Sequence, residues 1–151
     1  MQIEVAGQTI NPPDSSNTTI SKPNGEISDV QTEQEDPNSW RMAQLNNFVY
    51  PDKPVSVGDE WTHTIAADAK KGTVAATATY KIESLEKVGD HDTVKIKVSY
   101  KETEGTDPAS SDSTVWLDVK DSAMVKEESA WTNVPSPQGP INATIKMDRV
   151  F

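Results

Sequence analysis

TVKIKVSYK, residues 93–101, decides the fold. Val94, Ile96, Val98 and Tyr100 take every second place, and Lys95, Lys97, Ser99 and Lys101 take the others. Successive side chains of a strand point to opposite faces, so this period of two describes a strand with one dry and one wet side. The stretch before it behaves the same way. In GTVAATATYKIES, residues 72–84, Val74, Ala76, Ala78, Tyr80 and Ile82 share one face, and Ala75, Thr77, Thr79, Lys81 and Glu83 share the other. The link between them is a short turn around Gly89, which makes the two strands antiparallel neighbours. With Val88 set opposite Asp92, Tyr80 faces Tyr100, Ile82 faces Val98, and Glu83 meets Lys97 as a cross-strand ion pair on the wet side. A slip of one residue would carry lysines into the core.

Working outward, further strands are expected at STVWLDV (113–119), AMVKEESAW (123–131) and INATIKMDRV (141–150), separated by the turn signals GTDP, VKDS and SPQG. Before the paired strands, DPNSWRMAQLNNF (36–48) offers Asp36 as a cap, Pro37 at the first helical position, and Trp40, Met42, Ala43, Leu45 and Phe48 near helical spacing. It is the one helix expected, over residues 37–47. The following VYPDKP (49–54) carries two prolines, which impose an extended linker. Residues 1–36 are polar, with TTISKPNGEISDV (18–30) reading as a hairpin whose corner is Pro23, Asn24 and Gly25. That hairpin and TVWLDVKDSAMVK (114–126) share a plan, so the arm can be the tail of a preceding repeat or one of two unrelated hairpins. The division expected is an N-terminal arm or hairpin over 1–36 and an antiparallel domain over 37–151. The fold class expected is mainly β, bordering on α+β: a curved antiparallel sheet or half-barrel of about six to nine strands under one covering helix.

Composition narrows the function. Only 34% of the 151 residues are hydrophobic, so either the core is thin for a chain of this length or part of the chain lies outside it. A formal charge of −10 repels phosphate backbones, which argues against a nucleic-acid partner. Cysteine is absent, which removes disulfides, thiolate metal sites and cysteine nucleophiles. No apolar run is long enough for a membrane span, and MQIEVAGQTI lacks the regions of a signal peptide. If the parent protein is exported, the chain is expected to be its mature part or an excised domain.

Few residues carry chemistry. The two histidines are His63, on the strand EWTHTI with Trp61 and Ile65, and His91, in the turn GDHD. His63 is expected to be a half-buried structural residue. Asp90, His91 and Asp92 are adjacent and cannot all point at one ion, so no metal is expected there. Asp59 and Glu60 are neighbours in a strand, point to opposite faces, and cannot flank one glycosidic bond. No catalytic residue and no cofactor is assigned. The four tryptophans, Trp40, Trp61, Trp116 and Trp131, are the candidates for contact with a ligand or partner, with Trp116 and Trp131 foremost. Trp116 points away from Val115, Leu117 and Val119 on its own strand.

PVSVGDEW (54–61), followed by the alternating strands and by VWLDV (115–119), resembles a group of exported bacterial domains of unknown function in which such an entry opens a curved antiparallel sheet. Their plan is similar to lipoprotein carrier and receptor folds, where an unclosed β barrel wraps a helix and shelters an acyl chain. The resemblance covers residues 40–151. It implies a periplasmic, cell-surface or secreted location and carries over no site residue.

The concave face would be lined by Ala76, Ala78, Tyr80, Ile82, Val94, Ile96 and Val98, and a helix bearing Trp40, Leu45 and Phe48 is sized to fill it. The function expected is a noncatalytic envelope module that binds a protein partner or an apolar ligand. The alternative is a structural or adhesive repeat of a larger surface protein; a carbohydrate-active hydrolase ranks below both. A monomer or an arm-exchanged dimer is expected, since an arm beside a sheet edge can pair with a neighbour.

Overall fold

The computed structural model describes residues 2–5, 8–10, 17–33 and 36–149. Ten strands and one helix lie among them: β1 (Gln2–Val5), β2 (Gln8–Ile10), β3 (Asn17–Ser21), β4 (Ile27–Thr32), α1 (Ser39–Leu45), β5 (Glu60–Ile65), β6 (Ala76–Val88), β7 (His91–Glu102), β8 (Ser110–Asp118), β9 (Met124–Val134) and β10 (Ile141–Asp148). The expected count of six to nine fell short because the arm supplies β1 and β2 besides the expected hairpin. Strands β5 to β10 form an antiparallel meander, β1 pairs with β10, and β2 pairs with β1. The resulting sheet runs β2-β1-β10-β9-β8-β7-β6-β5 and is unclosed. Strands β3 and β4 form a separate two-stranded sheet, the expected hairpin.

The face assignment holds along both long strands. Ala76, Ala78, Tyr80 and Ile82 of β6 and Ile96, Val98 and Tyr100 of β7 are buried, while Lys81, Lys97 and Lys101 are exposed. The register differs from the expected one. Val88 pairs with His91 rather than Asp92, because two residues, Gly89 and Asp90, suffice for the turn, with Gly89 at φ 57°. A bulge between Ile82 and Ser84 then shifts the pairing once more, so Tyr80 faces Val98 and Ile82 faces Ile96. Each step would reverse the faces; together they restore them below the bulge. Glu83 at the bulge still meets Lys97 at 3.1 Å, and Lys95 at 3.7 Å. Between bulge and turn, Leu85 pairs with Val94 and comes to the apolar side.

Helix α1 is shorter than expected at both ends. The Asp36 carboxylate accepts from the Asn38 N–H at 2.9 Å and its carbonyl from Ser39 N–H at 3.1 Å, which spends Asp36 and Pro37 on a turn and leaves Asn38 as N-cap. Leu45 enters the core, and its carbonyl accepts from Ser111 Oγ at 3.0 Å, so a sheet hydroxyl satisfies one open carbonyl of the helix end. Arg41 reaches across to Glu102, whose side chain is wholly buried: Nε and Nη2 bind its two oxygens at 2.8 and 2.6 Å, and Ala109 N–H adds a third bond at 2.7 Å. Glu127 is also buried, at 2% exposure, on the inner face of β9. Ser129 Oγ donates to its carboxyl, and the Asn46 amide, oriented with its nitrogen inward, stands 3.1 and 3.3 Å from the two oxygens. Burial raises the pKa of Glu127 above the ordinary carboxyl value.

Candidate functional site

After Leu45 the chain stops being helical and crosses the apolar face as an extended strap, residues 46–55. Pro51 and Pro54 keep it extended, since neither can donate to a ladder and each disfavours helix in the residue before it. The strap is fixed at Val49. Its N–H donates to Tyr80 Oη at 3.3 Å and its carbonyl accepts from Trp61 Nε1 at 2.9 Å, so two rings projecting from the sheet hold both polar groups of one residue. Those rings stack with centroids 5.1 Å apart and planes 10° apart, and Phe48 meets Tyr80 edge-on at 5.0 Å. Burial pushes the Tyr80 hydroxyl up to about 12, so it stays protonated through the physiological range. The hairpin β3–β4 braces the strap from outside, with Tyr50 N–H bound to Asn24 O at 2.8 Å. Beyond Val49, Tyr50 Oη reaches Ser122 O at 3.2 Å.

Between the strap and the sheet lies a groove of about 480 Å³. Ile82, Val94, Ile96 and Leu117 form its floor, Trp61 of β5 its side, and Phe48, Tyr50 and Val55 of the strap its roof. The groove exists because the cover runs out before the apolar surface does. Strands β6, β7 and β8 extend past the strap, leaving Leu85 66% and Val119 58% exposed on or beside the apolar side. Tyr50 is likewise exposed, and Val119 and Tyr50 both line the groove. Large apolar side chains left facing solvent around one hollow are an uncommon surface feature of a folded domain. The expectation that the helix fills the concave face is corrected here. Leu45 and Phe48 pack into the core, but Trp40 lies under the Lys71 ammonium, 4.6 Å from its ring centre, and the helix ends too early to cover the floor. Under the helix end itself only about 20 Å³ remains, beside Leu45, Asn46 and Glu127.

Of the four tryptophans, the groove takes only Trp61. Trp116 stands on the outer face and is nonetheless buried, because Lys126 and Lys95 lie over its ring at 4.7 and 5.6 Å and its Nε1 donates to Glu86 at 2.6 Å. That bond, with a second from Ser84, holds Glu86 below the usual carboxylate range. Trp131 is buried on the inner face of β9, its register partners Ser111 and Ala143. The tryptophans are therefore not brought together. His63 is half-buried on the inner side of β5, as expected. His91 Nδ1 pairs with Asp118 Oδ2 at 2.6 Å, and Asp118, also bound by Lys120 N–H, is held below its ordinary carboxylate value. Asp59 closes the turn into β5 by accepting from Ser56 N–H at 2.8 Å, and Glu60 is exposed. No group of three His, Asp or Glu fit to hold a metal ion occurs among the described residues. Nor, among them, is any helix long and apolar enough to cross a membrane.

The strap residues Tyr50 and Val55 and the overhanging Leu85 and Val119 were missed by sequence reasoning. Their signal was present: VYPDKPV places large apolar residues on both sides of two prolines, more than a solvated linker needs. Comparison with protein-family models, with curated proteins and with solved structures finds no match in any of the three.

Proposed function

We propose that this chain is a noncatalytic binding module that holds an apolar chain in the groove between strap and sheet, as part of an exported protein. The observation that carries it is the convergence of exposed Tyr50 and Val119 on a hollow floored by aliphatic Ile82, Val94, Ile96 and Leu117. Such a site needs no reacting group; it works by removing hydrocarbon from water. At about 0.8 kcal/mol per buried methylene, eight carbons contribute roughly 6 kcal/mol before the costs of association. The resemblance at residues 54–61 supports the exported setting. The test is titration with N-phenyl-1-naphthylamine, an uncharged apolar dye. Saturable fluorescence gain with one dye per chain, abolished in Val119→Asp, is the expected outcome. Equal gain in Val119→Asp, or none in either protein, sinks the proposal.

A further inference from the structure

We infer that the open edge of β5 pairs with the same edge of a second copy of this chain, joining two sheets across a two-fold axis at His63; the inference does not rest on the groove. β5 is the last strand of the main sheet and has β6 on one side only. The Asp59 carbonyl accepts from Ile82 N–H, so along the antiparallel ladder residues 59, 61, 63 and 65 turn their polar backbone groups to β6. Glu60, Thr62 and Thr64 turn theirs outward, where they have no partner among the described residues. An unpaired strand is a template for another strand, and folded domains protect such edges by shortness, proline, lysine or a bulge. At the opposite edge of the sheet β2 is only three residues long. β5 has none of these protections: Glu60–Ile65 is six residues long, holds neither proline nor lysine, and keeps register with β6 without a bulge. The hairpin β3–β4 forms its own sheet and does not pair with it.

The strand's own residue order favours a second copy as the partner. Two antiparallel copies of EWTHTI centred on His63 put Trp61 opposite Ile65 and Thr62 opposite Thr64, with every side chain kept on the face it already occupies. An aromatic with a β-branched residue, and two threonines, are among the cross-strand pairs that stabilise a sheet. Two-fold symmetry makes each pair twice. In this register Thr62 and Thr64 of the two copies exchange their outward backbone bonds. Centring the pairing on Thr62 instead would set Ile65 against Asp59 and Trp61 against His63, which loses both apolar matches. Glu60, the one acidic residue of β5, falls opposite Ala66, so no two carboxylates meet at the edge. The charge of −10 on each copy still opposes approach, and association should strengthen as salt screens it. One strand per side is a small interface, so the dimer is weak and appears over about 10 μM to 1 mM.

The chain has no cysteine, so a single introduced thiol reports on one position. At the axis, His63 of the two copies forms a non-hydrogen-bonded pair, with Cα atoms about 4.5 Å apart and within disulfide reach. Thr62 faces Thr64 of the second copy and not itself. His63→Cys and Thr62→Cys are oxidised in parallel with copper–phenanthroline and dissolved oxygen, and linked dimer is read on a nonreducing gel. Thr62 is the more exposed of the two, yet His63→Cys is expected to link about tenfold faster. Sedimentation of the unaltered chain should show dimer at high concentration. Thr64→Pro, which removes only an outward N–H, should abolish that dimer while circular dichroism shows the fold retained. Thr62→Cys linking as fast as His63→Cys, a dimer that survives Thr64→Pro and so forms at the arm or the groove, or a chain still monomeric at about 1 mM overturns the inference.

Discussion

The two halves of the apolar face differ in what covers them. Under α1 the sheet presents Ser111, Glu127 and Ser129 among its apolar residues, and these are tied to the helix end or to one another. Under the strap it presents Ile82, Val94, Ile96 and Leu117, and the cover stands off far enough to leave a groove. Polar groups inside a core demand a fixed partner at a fixed distance, whereas aliphatic groups accept any apolar neighbour. The helix half is therefore committed to one arrangement, whereas the aliphatic floor under the strap imposes no such pairing on its neighbours.

Four substitutions probe that contrast. The largest effect belongs to Arg41→Met, which leaves the Glu102 carboxylate buried with its main partner gone. A loss of about 3–5 kcal/mol in urea unfolding is expected, and a loss under 1 kcal/mol would show that the helix half is less committed than its geometry indicates. Tyr80→Phe comes next. It strands the Val49 N–H inside the strap, at a cost of about 1–3 kcal/mol, and should loosen the groove roof, seen as faster hydrogen exchange at Tyr50.

Glu127→Gln works through pH. The folded-state pKa of Glu127 is raised, so the folded protein binds its proton more tightly than the unfolded chain does. Its contribution is fully present below the unfolded value, and is lost as pH rises through the folded one. The variant should therefore gain stability relative to the parent as pH climbs, and the two curves should meet in acid. Curves that stay parallel would break the account of the buried carboxyl. The smallest effect on stability is that of Val119→Ser, at an exposed position lining the groove, within about 0.5 kcal/mol; dye binding in the groove should nevertheless weaken.

Much of this was legible in the sequence, and for one reason. Strict alternation over residues 72–84 and 93–101 is a direct consequence of strand geometry, so the sheet and its buried side follow from it. Glu83 finding Lys97 belongs to the same logic. The bulge does not, because an extra residue in one strand leaves no mark on the alternation of its partner. Glu127 was equally hidden: a carboxylate next to Glu128 and Lys126 looks like surface, and only the helix end supplies the reason for burying it. The groove was obscured because its roof has no periodicity at all. Proline spacing shows that residues 49–54 are extended but not what they lie against.

The hairpin turn carries one more consequence. Gly25 sits at φ 87°, and a Cβ there would come within 2.2 Å of the Phe48 carbonyl oxygen, while Asn24 beside it holds the Tyr50 amide. The roof is thus riveted to a ribbon that belongs to neither the main sheet nor the helix. Were the roof to lift for a guest of the kind proposed above, this ribbon would have to move with it, like a lever fixed to a hatch.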